Sequence, residues 1–426
     1  MNFKRKSQNN IEIEMRVIFL TFLLSWGIFI SPVFPQEFPH DIPEYNFVHL
    51  SENQLDFPGD SASFQNLYSK FDEVIFNGKG QVNIMHMGGS HIQAGVFSSS
   101  MRTKLQTIEA GLNSYRGFLF PFRVARTNNP SNYQVSYSGY WDYCKNTERK
   151  KDCTLGLSGM SVTTHDSLSS IKIKFNEAFP QSEFTSLLVY CETDSMAFNI
   201  DANTEFIKEK IIHDGYIEFI FNSEQDSLML SIEKRENWQK QFTLYGLQFG
   251  NKLPGFAYHA IGVNGASVPS YLRCDLLENH VATVKPDLVI FSIGINDAYG
   301  TRFSPSQFKE NYRQLINKIK RASPQVAILF TTNNDSYYRR RYVNRNGLLV
   351  EKAMYELAKE YDAGVWNLFS IMGGLGSIVD WQNYGLAKSD KVHFTSEGYE
   401  LAGSMLFSAL IKSYEYHIKN SQNQTN

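Results

Sequence analysis

Two patterns of apolar and polar positions alternate along this chain. Residues 61–76 place Phe64, Leu67, Phe71 and Ile75 at the spacing of one helix face, with Asp60 or Ser61 as the N-cap. Residues 82–87 form a short apolar run that predicts a buried strand, and residues 93–112 predict a helix. Between about 120 and 250 the pattern changes. Residues 171–175, 186–190, 216–221, 227–232 and 242–247 are short alternating or apolar runs parted by polar turns, the signature of an antiparallel sandwich. From 255 strands and helices alternate again. Strands are predicted over 256–261, 287–293, 326–331 and 364–369, and helices over 272–284, 306–321, 347–361 and 397–416. Ser304 or Ser306 caps the second of these helices, and Pro305 suits its start. Strand–helix alternation of this kind makes a parallel three-layer sheet. The predicted fold is therefore α/β, a three-layer parallel sheet with an inserted antiparallel β-sandwich.

Residues 17–30 are an apolar run of export-signal length, preceded by Arg16 and, further upstream, by Lys4, Arg5 and Lys6. The expected organisation is a signal peptide over 1–36, with Met15 as an alternative true start. A first α/β part over 37–120, the sandwich over 121–252, a second α/β part over 253–418 and a disordered tail over 419–426 follow. A retained anchor is the alternative to cleavage. Localisation is expected to be secreted or periplasmic. Lys and Arg total 41 against 43 Asp and Glu, a net charge of -2, which argues against nucleic acid or an anionic membrane as the partner. Apolar residues make up 42% of the chain, enough for a full core without metals or disulfides. Cys144 and Cys153 are close enough to close a local loop in an oxidising compartment, whereas Cys191 and Cys274 read as buried thiols. No Cys/His spacing fits zinc; His86 and His91 lack the intervening Glu of a metalloprotease helix.

Open parallel sheets carry their sites beyond the C-terminal ends of strands. Five segments meet that test: Ser90 after Met87, Gly262 to Gly265 after Ile261, Gly294 to Asp297 after Ile293, Thr332 to Asp335 after Thr331, and Asp390 to His393 before the last helix. Acyl transfer requires a nucleophile, a base, a group orienting the base, and donors for the developing oxyanion. Ser90 suits the nucleophile and His393 the base. Asp390 lies three residues before His393, within reach of it, or acts through backbone geometry alone. The oxyanion donors are the N–H of Ser90, the N–H of Gly265 and the side-chain amide of Asn296.

These segments resemble the blocks of the SGNH (GDSL-type) hydrolase superfamily. Its Ser, Gly, Asn and His fall on Ser90, Gly265, Asn296 and His393 in the family's order, and Asp390 matches its Asp-x-x-His acid. The resemblance covers roughly 80–112 and 255–415. It implies a flavodoxin-like three-layer sheet. A sandwich inserted after the first block, together with the string Gly89-Ser90-His91-Ile92-Gln93-Ala94, resembles the secreted bacterial peptidoglycan O-acetylesterase branch, where that insert is similar to a carbohydrate-binding module. The family's Gly-Asp-Ser reads Gly88-Gly89-Ser90 here, without the Asp that ordinarily helps organise the nucleophile loop. Gly59-Asp60-Ser61 matches the triplet literally, but follows Phe57-Pro58 rather than a strand and reads as a helix cap.

The resemblance implies a serine esterase that removes O-acetyl or short acyl groups from a carbohydrate without metal or organic cofactor. The same residues would serve an O-acyltransferase, and a decayed site would leave a glycan-binding protein. The expected partner is an acetylated polysaccharide or peptidoglycan, with no stable membrane association after signal cleavage. Three further readings concern the rim. Arg339, Arg340 and Arg341 either grip a carboxylate of an acidic sugar or stem peptide or form a solvated loop. His91 either contacts substrate or steadies its loop. Trp381 and Tyr384 form a sugar platform or pack internally.

Overall fold

The computed structural model of the protein describes residues 42–109, 111–112, 114–176 and 183–425. The segment read as a signal peptide lies outside them. No helix among the described residues is long and apolar enough to cross a membrane.

Five parallel strands form the central sheet: β1 (Gln81–Gly88), β2 (Gly255–Gly262), β3 (Leu288–Ser292), β4 (Ala327–Thr331) and β5 (Gly364–Trp366). Their spatial order is 2-1-3-4-5, the flavodoxin-like arrangement. The strand Leu55–Asp56 pairs antiparallel to β5 at the edge, in a region read as loop because two residues are too few to show a period. Alternation along the strands explains the layers. Val289, Phe291, Ile328 and Phe330 enter one core with the helices Pro305–Ala322 and Asn346–Tyr361. Leu288, Ile290, Ala327 and Leu329 enter the other with Ala62–Ile75, Val96–Gln106 and the last helix, Ser396–Thr425. That last helix runs on into the segment expected as a tail.

Two expected helices are each broken in two. The one read over 93–112 is Ser90–Gln93 followed by Val96–Gln106, parted at Gly95. Gly95 has φ +83°, and a Cβ there would lie 2.6 Å from Pro130 Cβ. The one read over 272–284 is Val268–Leu272 followed by Leu277–Val284.

Residues between the first helix pair and β2 form two antiparallel sheets, one of seven strands and one of four. Leu187, Val189, Phe219 and Leu247 of the larger sheet share a buried core with Ile171, Ile173, Leu228 and Leu230 of the smaller. Cys144 and Cys153 are joined in a disulfide, with Cα atoms 6.6 Å apart, and Cys191 and Cys274 are buried free thiols.

Beneath the C-terminal ends of the parallel strands runs a hydrogen-bonded chain of side chains. Tyr258 on β2 meets His86 Nδ1 at 2.6 Å, His86 Nε2 meets Ser292 on β3 at 2.5 Å, and Ser292 meets Thr331 on β4 at 2.7 Å. Burial holds the His86 imidazole down at about 3, so it is neutral and bridges its neighbours as donor on one nitrogen and acceptor on the other.

Candidate active site

The sheet order reverses between β1 and β3, the switch point where open α/β sheets form their crevice. β1 ends at Gly88, the chain turns at Gly89, and Ser90 opens the helical turn Ser90–Gln93. The turn is too tight for a side chain at its start: a Cβ on Gly88 would lie 2.3 Å from Ile92 Cγ1 and 2.9 Å from Ser292 O. The Tyr271 hydroxyl donates to Gly88 O at 2.8 Å, and the Gln93 N–H donates to Gly89 O at 3.0 Å. These bonds brace the turn that leads into Ser90.

Ser90 Oγ lies 2.8 Å from His393 Nε2, across 303 residues of sequence. His393 Nδ1 lies 2.8 Å from Asp390 Oδ2. The other carboxylate oxygen, Oδ1, accepts the N–H groups of Val392 and His393, each at 2.9 Å. This loop closes because Lys391 adopts φ +56°. Burial pushes the Asp390 carboxyl up, but the hydrogen bonds from the His393 N–H, the His393 ring and the Val392 N–H outweigh it and hold the group below its ordinary value. Asp390 is thus an ionised acceptor that holds both the loop and the ring. With Nδ1 donating to Asp390, His393 Nε2 is free to accept the Ser90 proton.

The loop Val263 to Ala266, which follows β2, lies against Gly89, where a Cβ would be 3.4 Å from Ala266 O and 3.8 Å from Val263 O. Gly265 has φ +78°, a conformation in which a Cβ would be strained. Asn296 Nδ2 donates one hydrogen to Ala266 O at 2.9 Å, which fixes the amide and leaves its second hydrogen for another acceptor. A Cβ placed on Gly89 would lie 3.3 Å from that Nδ2 and 3.4 Å from Ala266 O. The Asn296 amide therefore lies directly against the nucleophile turn. Ser90 stands in the first turn of its helix, so its N–H has no intrahelical acceptor.

The remaining predicted residues divide. His91 is buried behind His393, its ring stacked at 5.2 Å between centroids and 25° between planes. Its Nδ1 meets the Tyr399 hydroxyl at 3.1 Å, and its Nε2 is buried without a hydrogen-bond partner. Burial first, and the neighbouring His393 second, hold it down at about 3. Arg339, Arg340 and Arg341 are exposed at the tip of a hairpin between Tyr337–Tyr338 and Tyr342–Val343. That hairpin is tied to the Asp390 loop by the Tyr337 N–H donating to Lys391 O at 3.0 Å. Trp381 packs internally, fully buried and stacked on Phe394, while Tyr384 is exposed beside Phe47. Gly59-Asp60-Ser61 sits at the start of the helix Ala62–Ile75, where Asp60 Oδ1 accepts the Ala62 N–H at 3.0 Å.

Two residues named from sequence only as members of longer strings, without a role, matter here. Gln93 Oε1 accepts the Asn264 N–H at 2.7 Å, while its Nε2 donates to Thr127 Oγ1 and Asn128 O, so it locks the Gly265 loop to the nucleophile helix. Asp297 accepts the Val268 N–H at the start of Val268–Leu272, and burial pushes its carboxyl up to about 7 despite that bond. Both lie within strings that carry the resemblance, but polar partners far apart in sequence give no periodic signal, so their roles were not legible.

Residues 234–401 match the sequence model of the GDSL-like Lipase/Acylhydrolase family. The match begins beyond the Ser90 segment, from which the inserted sheets separate it. No curated protein matches the chain in sequence. A solved peptidoglycan O-acetylesterase is similar in structure over 85% of this chain and 99% of its own, with a TM-score of 0.70 and 20% identity. A carbohydrate esterase family 3 protein from Talaromyces cellulolyticus is similar over 37% of this chain and 72% of its own, at TM-score 0.29 and 18% identity. The former shares the fold; the latter is too distant to bear on function.

Proposed function

From the premise that the chain carries a GDSL-like lipase/acylhydrolase domain on the SGNH fold, we propose that it is a serine carboxylic ester hydrolase acting on an O-acetylated glycan. The observation that carries this reading is the Ser90–His393–Asp390 relay, with both links at 2.8 Å. Ser90 Oγ attacks the acyl carbon as His393 Nε2 takes its proton. The negative charge that develops on the carbonyl oxygen is met by the Ser90 and Gly265 N–H groups and the free hydrogen of Asn296 Nδ2. His393 then returns the proton to the sugar oxygen as the C–O bond breaks, leaving an acetyl ester on Ser90. Water, deprotonated by His393, attacks that ester and releases acetate. Asp390 stays ionised and stabilises the imidazolium formed in each half. His91 supports His393 rather than touching substrate in this reading, and the Arg339–Arg341 hairpin stands beside the Asp390 loop.

The structural relative is by name a peptidoglycan O-acetylesterase, which supports acetyl as the acyl group and a cell-wall or related glycan as the carrier. In this reading the protein acts outside the cytoplasm, as the leader read from the sequence would require. An intact relay supports hydrolysis over a decayed glycan-binding role. The test is hydrolysis of a p-nitrophenyl ester series. The wild type should prefer acetate, and Ser90→Ala should lower kcat at least ~1,000-fold. Equal rates in the two proteins would overturn the assignment.

A further inference from the structure

The smaller antiparallel sheet carries a second concavity, which the ester chemistry leaves unused. It is a groove of about 540 Å³ along the strand Tyr133–Ser138, walled by residues 129–131. That size falls within the ~300–1,000 Å³ of small-ligand sites. Arg123, Lys172 and Lys174 line it, all exposed, and among the described residues no acidic side chain does. The strand register makes this arrangement. Ile171 and Ile173 are buried in the sandwich core, so Lys172 and Lys174 both project outward, about 7 Å apart along the strand. Ser136 and Gln134 stand opposite them across the ladder and add neutral hydrogen-bonding groups. None of the three cations forms an ion pair among the described residues. A cleft lined by one sign of charge concentrates ligands of the other sign.

The groove adjoins the ester site through a chain of contacts. Asn129 and Pro130 form part of its wall. Pro130 packs against Gly95, just beyond the nucleophile turn. Thr127 and Asn128 accept hydrogen bonds from Gln93 and from the Asn264 side chain, one residue before Gly265. The groove wall at 129–131 thus continues directly from the two residues that hold the oxyanion loop. We propose that this groove is a subsite for a carboxylate-bearing glycan chain, held while an ester elsewhere on the same chain reaches Ser90. The inference rests on reading Ser90 as the nucleophile of a glycan esterase. The carboxylates come either from uronic acids of the backbone or from peptides attached to it.

The test is binding, so it does not depend on turnover. The full-length Ser90→Ala variant is titrated with an oligogalacturonate, with a peptide-bearing muropeptide oligomer, and with a neutral galacto-oligosaccharide of matched length. The expected result is that one carboxylated probe binds and weakens steeply with added salt, its identity naming the source. Arg123→Gln, Lys172→Gln and Lys174→Gln introduced together should weaken that binding at least tenfold. Lys172→Arg with Lys174→Arg should retain it. An unchanged melting temperature shows that the triple variant is folded. Failure of both carboxylated probes to bind overturns the subsite, as does equal binding of the neutral probe or of the folded triple variant. Loss of the esterase reading registers separately, as p-nitrophenyl acetate hydrolysis that persists in Ser90→Ala.

Discussion

At the residue scale the site depends on small departures from what is usual. Gly89 stands where the resemblance would place an acidic residue, and a Cβ there would lie 3.3 Å from the Asn296 amide and 3.4 Å from Ala266 O. Organisation of the nucleophile turn passes instead to Tyr271 and Gln93. His91 offers the sharper experiment. It is buried, neutral and stacked on the face of His393. We read it as a positioning residue that keeps that ring turned toward Ser90. His91→Ala should lower kcat on p-nitrophenyl acetate by ~10-fold or more and leave KM within twofold, and His91→Phe, which restores a stacked ring, should recover most of the loss. A change confined to KM would place His91 at the substrate instead.

At the element scale the loops after β2 and β3 are joined by one carboxyl. Asp297 follows Asn296 and caps Val268–Leu272, the helix that begins just after Gly265. Its folded value of about 7 exceeds the ordinary 3.8. Between those values the folded protein keeps a proton that the unfolded chain has released. Stability from this group is therefore present below about 3.8 and lost as pH rises toward 7. Asp297→Asn keeps an acceptor for the Val268 N–H and removes the titration. Its urea midpoint should rise relative to the wild type as pH goes from about 5 to about 8. Sequence made most of these elements legible. β1 to β4 fall close to their predicted runs, because a buried parallel strand is continuously apolar and is bounded by polar turns. The helix breaks were less visible: Gly95 yields to Pro130, a contact on which local periodicity has no bearing.

At the scale of the whole molecule, buried polarity sets the response to acid. His86, His91, His259 and His280 are each pushed by burial from 6.5 down to about 3. Below about 6.5 the unfolded chain takes up protons at these positions and the folded protein does not, so stability falls as pH drops from there toward 3. Asp297 opposes this by one proton, against four from the histidines. Urea midpoints should decline steeply from about pH 6.5 to 4, and replacing His280 with Gln should flatten that decline. A flat profile would contradict neutral burial of these rings. The inserted sheets belong to the same scale. Through Thr127 and Asn128 they hold the loop that presents Gly265, so they contribute to the ester site as well as to the groove.

The sequence by itself determined the fold class, the split of the α/β layers by antiparallel strands, and the identity of Ser90, Gly265, Asn296, Asp390 and His393 as candidates. Apolar periodicity and short local motifs carry that information, because each depends only on neighbours along the chain. Tertiary structure decided which candidates meet. It brought Ser90 within 2.8 Å of His393, put His91 behind that ring rather than in front of it, and buried Trp381 instead of offering it to a sugar. It also turned Lys172 and Lys174 outward beside Arg123. Contacts between residues hundreds of positions apart are set by sheet order and packing, and leave no mark on the chain near either partner.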